Sequence, residues 1–573
     1  MNDLLDRRRE QMFPKLSTQQ MQRLAAHGSR EQTQPGQILV HMGERPDRFF
    51  VVVSGTLEVL LARSGDHEVF NVLTAGDFSG EMNMLRGSVN MVSVRVGEAG
   101  QVIAIDSAHL RSIVQTDAEL SELFMRAFIL RRMGLVSERG NDVTLVGSRH
   151  SGDTLRLQEF LTRNAYPFTT LQIEDEADVQ NLFQRLHIEA TDIPVVVCRA
   201  EHVLKNPSNY QLAACLGLNP SVDDSRVHDL LIVGAGPTGL AAAVYAASEG
   251  LDVRVVETMA PGGQAGTSSR IENYLGFPTG ISGQALAGRA LSQAQKFGAI
   301  FCVASDAVRL HTEHRPYVVD LAEGSSIQAH TILLATGARY RTLDIEMPAR
   351  FLGAGIYYAA TSMEARLCQE EEIIVVGGGN SAGQAAVFLA NSCRHVHVVV
   401  RAADLADSMS SYLIRRIEGS PNITLHTRTR ITALEGNDQL QRIRWRREQD
   451  QQDEVREIAH VFLMLGALPN TRWLNGALAL DDRGFLKTGS DLSETEVSSA
   501  YRSAGRSPYL METSLPGIFA TGDVRAGSVK RVAAAVGEGS SCVQFIHRAL
   551  RDTAAPAAID QPVEQIASAG FEK

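Results

Sequence analysis

Two stretches of this chain read as a strand, a glycine turn and a helix in succession, and their repetition constrains the fold more than any other feature. The first is Asp229-Leu-Leu-Ile-Val-Gly234-Ala-Gly236-Pro237-Thr238-Gly239, followed by an alanine-rich run and then Leu251-Asp-Val-Arg-Val-Val-Glu257. The apolar residues before Gly234 predict a buried parallel strand, and Leu240 to Ser248 a helix. Gly234 would make the turn, Gly236 would let a pyrophosphate approach the backbone, and Gly239 would let helix and strand pack closely. The unpaired N–H groups at the helix N-terminus favour negative charge there. Glu257 ends the next strand about 20 residues on, where an acid can accept hydrogen bonds from ribose hydroxyls. The second stretch is Ile373-Ile-Val-Val-Gly377-Gly-Gly379-Asn380-Ser381-Ala382, and its following strand, Val396 to Val400, ends at Arg401. An arginine there favours a 2′-phosphate, hence NADPH, whereas an acid would suit NADH.

A chain of 573 residues is too long for one core, so several domains are expected. The net charge of −11 argues against a nucleic-acid or anionic-membrane surface. No apolar stretch reaches the length that spans a bilayer, and Met1 to Arg30 lacks the apolar core of a secretory signal. The cysteines (198, 215, 302, 368, 393 and 542) are scattered, with no Cys-x-x-Cys, which suits reduced thiols in a cytoplasmic protein. No metal site is expected from them.

Residues 1–140 begin with a polar helix and turn to short strands, at 37–40, 48–53, 56–61, 68–73, 91–96 and 101–105, with glycine turns at Gly43 and Gly55. A small β-barrel or jelly roll is expected. Leu120, Leu123, Phe124, Ala127 and Phe128 mark one face of a helix that packs on the barrel or on a second copy of the chain. This region resembles the cyclic-nucleotide-binding domain family through Gly43-Glu-x-x-Asp47-x-x-Phe50, Gly55 and Phe78-Ser-Gly80-Glu81-Met-x-Met-Leu85. The resemblance implies that Glu81 meets a ribose hydroxyl and that an arginine about ten residues on pairs with the cyclic phosphate. Asn90 falls at that position, and a neutral amide cannot replace a guanidinium, which argues against a cyclic nucleotide.

Residues 143–218 read as strand, helix (154–162), strand (168–173), helix (176–186), strand (192–197) and a final helix. That order is similar to a thioredoxin or glutaredoxin fold, with Ile193-Pro194 at the family's cis-proline. The redox pair should open the first helix, where Ser151-Gly-Asp-Thr154 stands without a thiol, so thiol–disulfide exchange is not expected. Asn219 to His228 reads as a linker.

From 226 to 553 the chain alternates strand and helix. It resembles the low-molecular-weight thioredoxin reductase family through both glycine turns, Gly262-Gly263-Gln264, Glu272-Asn273, Ala335-Thr336-Gly337, Thr521-Gly522-Asp523 and Lys530-Arg531-Val532-Ala533. The fold implied is two nested α/β Rossmann-like dinucleotide-binding domains: an FAD domain in two parts (226–352 and 465–553) around an NAD(P)H domain (353–464), with a tail at 554–573. The resemblance implies FAD on Gly234, Gly236, Pro237, Thr238, Gly239, Glu257, Gly263, Gln264, Asn273, Ala335, Thr336, Gly337, Gly522, Asp523, Arg531, Val532 and Ala533. It implies NADPH, or NADH, on Gly377, Gly379, Asn380, Ser381, Ala382 and Arg401, and it suggests a homodimer. Where the family carries its Tyr-Cys-x-x-Cys, this chain has Tyr358-Ala359-Ala-Thr-Ser362. No protein nucleophile is then expected in catalysis. The expected activity is an FAD-dependent NAD(P)H oxidoreductase whose electrons leave to ferredoxin, flavodoxin, a quinone or a disulfide protein. Two alternatives stand beside it: a nucleotide or redox sensor with little turnover, and a disulfide reductase using a partner's thiols. Tyr357 and Tyr358 could line the flavin or serve packing. Cys302, Cys368 and Cys393 are expected as inert buried thiols, and His395 and His397 as structural. Arg415, Arg416 and Arg442 to Arg447 are expected as solvated faces, and the chain from Asp552 as a loose tail.

Overall fold

The computed structural model describes residues 9–554, apart from 46, 64–65, 81–82, 87–89, 91, 139–142, 150, 174–191, 199–201, 220–225, 269–270, 272–273, 346–350, 352–353, 359, 361, 438, 450 and 466. Glu81, Glu272, Asn273, Ala359, the 176–186 helix and the tail beyond 554 therefore lie outside the described residues.

The N-terminal unit is an antiparallel barrel sheet built on two long strands, Arg48–Arg63 and Ser93–Asp106, paired along most of their length. Sequence reading splits each of these in two, the first of them at Gly55. Gly55 does have φ +77°, but a Cβ there would stand 2.6 Å from the Glu98 carbonyl oxygen. It therefore makes a bulge that lets the strands stay paired, with register shifts between Val52 and Leu57. The helix Ala118–Glu138 closes the barrel on itself: Phe124 and Phe128 pack edge-on against Phe49 and Phe78.

The second unit has a four-stranded sheet in the order Thr169–Gln172, Val143–Gly147, Val195–Cys198, His202–Lys205. The last strand was not legible in the sequence. The helix Gly152–Arg163 is capped by Ser151, whose hydroxyl accepts from the Thr154 N–H, and the Ile193–Pro194 bond is cis. Asn219 does not begin a free linker. Its amide donates to and accepts from the backbone of Val303 at 2.8 Å each, and His228 already lies in the strand Val227–Val233.

The third unit carries a seven-stranded sheet. Parallel strands Ile300–Val303, Val253–Glu257, Val227–Val233, Ser326–Leu334 and Ile518–Ala520 lie side by side, and the antiparallel strands Tyr317–Leu321 and Ala307–His311 extend it. The strand closing this sheet comes from the far end of the chain, so the fourth unit is inserted within the third. That insertion has its own all-parallel sheet, in the order Ile356–Tyr357, His460–Leu463, Glu372–Val376, His395–Val399, Ile423–His426. The two crossings between units, Ala338–Tyr340 and Ala467–Pro469, pair with each other antiparallel. The final helix, Val532–Ala554, runs past Asp552, whose carboxylate pairs with Arg506 at 2.7 Å, so the expected tail starts later. Among the described residues no helix is long and apolar enough to cross a membrane.

Candidate functional site

Both glycine turns sit at the C-terminal ends of central parallel strands, where α/β sheets open a crevice. Gly234 has φ +104°, and a Cβ on it would lie 2.4 Å from the Ala335 carbonyl oxygen. Gly239 is tighter still, 1.9 Å from Gly234 O, so helix Pro237–Ser248 abuts its own strand. Gly236, the N-cap, is different: the nearest atom to a Cβ there is the Gly263 Cα at 4.0 Å. An open shelf of backbone amides thus faces outward at the helix start, with Pro237 at its first position and Thr238 buried behind it.

Glu257, Gly263 and Gly522 lie against this turn, and the other described candidates stand on neighbouring segments. Glu257 accepts from the Ala235 N–H at 2.7 Å and from the Met259 N–H at 3.1 Å. Desolvation pushes its pKa up, and those amides, with the charge of Arg163, work against the rise. Gly263, at φ +53°, leaves its Cβ position 3.0 Å from Gly236 Cα. The Gln264 amide donates to Ala338 O, and Thr336 and Gly337 are tied to Asn470, the Thr336 hydroxyl at 3.1 Å. Gly522 presses on Thr238, with 2.2 Å from its would-be Cβ to Oγ1, and its N–H donates to Glu538. Asp523 follows in the same turn, and burial raises its pKa. Arg531 is exposed at the start of the last helix, which begins with Val532 and Ala533 and packs Gly539 against Thr238.

At the second turn Gly377 has φ +142°, with its Cβ position 2.2 Å from Met464 O. Gly379 N-caps the helix Asn380–Leu389 and faces open space, its Cβ position 3.9 Å from the nearest atom, Ser408 O. Asn380 Oδ1 accepts from the Ser410 N–H at 2.7 Å, and Ser408 Oγ donates to Gly378 O. Ser381 is exposed and Ala382 buried. Arg401 lies just past its strand, exposed, with Asp344 at 3.9 Å. The loop at 408–410 that braces this turn carried no motif, and sequence reading missed it.

The residues fit a dinucleotide at each turn. Gly236 and Gly379 hold space that a side chain would fill, and the buried Thr521 hydroxyl beside Gly522 has no hydrogen-bond partner among the described residues. Among the described residues no cluster could hold a metal ion.

Tyr357 is packed among Phe462 and His460, whose Nδ1 meets its hydroxyl at 3.1 Å, so its role is packing. Cys368 and Cys393, expected as inert buried thiols, are both buried and stand with sulfurs 3.5 Å apart in the insertion's core. Cys302 is buried as expected. Arg442 and Arg444 pair with Glu435, and Arg446 with Asp453, as surface ion pairs on a face that stays solvent-exposed.

A family model described as pyridine nucleotide-disulphide oxidoreductase matches residues 228–539, and a cyclic nucleotide-binding domain model matches 30–117. The chain belongs to the pyridine nucleotide-disulphide oxidoreductase family, whose thioredoxin-reductase branch uses FAD and NADPH, and is an NAD(P)H-dependent FAD oxidoreductase. It is 32% identical over 314 residues to a thioredoxin reductase of Mycolicibacterium smegmatis, covering 55% of this chain and 93% of the relative. It is also 31% identical over 343 residues to an alkyl hydroperoxide reductase polypeptide of Pseudomonas putida, covering 59% of this chain and 61% of that protein. The solved thioredoxin reductase of T. acidophilum superposes with a TM-score of 0.50 at 24% identity, covering 58% of this chain and all of that one, which shows the same fold.

Proposed function

We propose that FAD occupies the groove of Gly234 to Gly239, Glu257, Gly263, Gln264, Gly522, Asp523 and Arg531, and that NADPH occupies the groove of Gly377 to Ala382 and Arg401. The electrons then leave to an acceptor outside this chain. The observation that carries the second half is chemical: no Cys-x-x-Cys exists anywhere in the sequence, so no internal dithiol of that kind can relay them. When bound, FAD supplies the hydride acceptor. The protein's own work is to seat the diphosphates on helix N-termini, hold ribose hydroxyls at Glu257 and exclude water. Ferredoxin, flavodoxin, a quinone and a disulfide protein remain the acceptor classes to assay, and the reductase and peroxide-reductase relatives favour beginning with disulfides.

The test is anaerobic stopped-flow bleaching of the flavin absorbance by NADPH and by NADH. Bleaching at about 10 per second or faster with NADPH, and slower with NADH, is expected for ordinary turnover. Arg401→Gln should narrow the difference between the two. A yellow protein that binds NADPH yet does not bleach would sink the reductase reading and leave a sensor.

A further inference from the structure

The thioredoxin-like unit has no Cys-x-x-Cys to carry electrons, yet it is built into the flavoprotein unit. Its core residues Leu157, Phe160, Leu161, Leu212 and Leu216 share one apolar cluster with Val303, Ala304 and Met259 of the neighbouring unit. Val303 ends the strand beside Glu257, and Met259 lies two residues beyond it. The contact is therefore made at the end of the sheet where the first glycine turn opens.

Polar contacts at the C-terminus of helix Gly152–Arg163 lead to the same place. Arg163 Nη2 donates to Gly263 O at 3.1 Å, and its other arm reaches Glu159 at 3.5 Å. Asn164 Nδ2 donates to Met259 O at 3.1 Å, and the helix's Thr162 O accepts from Gln284 at 2.9 Å. The segment so held, 259–263, is the one whose Gly263 lies against Gly236. Arg163 is three-quarters buried, with 23% of its side chain exposed, so its charge acts in a partly desolvated setting.

We propose that the thioredoxin-like unit completes the FAD site, with Arg163 and Asn164 as positioning residues that clamp the 259–263 segment over the glycine turn and add positive charge where the FAD diphosphate would rest. This rests on the assignment of FAD to the Gly234–Gly239 groove. It gives the unit a task that needs no thiol: rather than swinging between partners, it is a fixed wall of the cofactor groove.

The experiment is FAD titration of the full-length apoprotein, followed by quenching of flavin fluorescence at two salt concentrations. Arg163→Gln should weaken FAD binding by roughly 5- to 20-fold, the range of a partly screened charge-assisted hydrogen bond. It should also flatten the salt dependence of the affinity, a change that a merely structural role would not produce. Arg163→Lys, which keeps the charge without the planar fork, should fall between. Affinity for Arg163→Gln within twofold of the parent, with the parent's salt slope, overturns the proposal. If that variant does not fold, Asn164→Ala decides in its place, with an expected weakening of roughly threefold. Failure of the unaltered protein to bind FAD would instead overturn the groove assignment, so the two failures are told apart.

Discussion

Gly377 carries a constraint no side chain meets. Its backbone lies at φ +142°, and the carbonyl oxygen of Met464 stands 2.2 Å from where a Cβ would be. Backbone, unlike a flexible side-chain tip, cannot swing aside, so Gly377→Ala must distort the second turn at a cost of about 1–3 kcal/mol. Because the first turn is untouched, the variant should keep its yellow flavin spectrum while its reduction by NADPH slows about tenfold or more in the stopped-flow assay. Equal slowing of flavin binding would place the damage elsewhere. At this scale the sequence is informative about type and silent about partners. It shows that Glu257 is an acid at a strand end, but not that its carboxylate also holds the Ala235 and Met259 amides. Cys368 and Cys393 show the same limit: 25 positions apart, they meet in one apolar core, where the Glu370 N–H donates to Ser392 O at 3.0 Å and ties the two segments together.

Elements were legible where a period or a glycine turn marks them, as in Pro237–Ser248 and Asn380–Leu389. Glycine misleads inside long strands, because a bulge and a turn leave the same residue in the sequence; Gly55 is the example. Long-range pairing also decides the insertion's edge, where a β-ribbon covers the sheet and sets Trp445 over His397 and His426. His397 Nδ1 and His426 Nε2 are 3.0 Å apart, with His395, Glu372, Glu454 and Arg456 acting on the same group. Burial first, then the neighbouring His397, lowers the His426 pKa to about 4, from an ordinary value of 6.5. Between those values the folded state binds fewer protons than the unfolded chain. Its contribution to stability is therefore full above pH 6.5 and is lost as pH falls towards 4. The thermal midpoint should drop between pH 7 and pH 5, and His426→Asn should flatten that drop. A midpoint that rises on acidification would contradict the sign.

Across the whole molecule, the N-terminal barrel matches a cyclic nucleotide-binding model, and the described lining of its cavity puts a neutral amide where the family's arginine is expected. Asn90 lines the barrel cavity, and its amide donates to His41 O at 3.2 Å. Of the two arginines on the same cavity, Arg48 is held by both oxygens of Glu31 and Arg131 donates to the carbonyls of Met12, Phe78 and Gly80, while Val40, Val59, Phe70 and Leu73 make apolar walls. Calorimetric titration with cyclic AMP or cyclic GMP should give no saturable heat at sub-millimolar ligand, and micromolar binding would show that another cation serves. A barrel ahead of paired dinucleotide folds was visible in the sequence because each carries its own pattern of strands and turns. How units join was not, since shared packing leaves no period to read. The apolar cluster that runs from Phe160 and Leu212 into Val303 and Met259 has a consequence for genetics. A truncating change in that cluster, such as Phe160→Ala, would surface as a pale, flavin-poor protein. A screen for colourless mutants would therefore recover lesions such as the one at Phe160, 74 positions before the Gly234 fingerprint they disable.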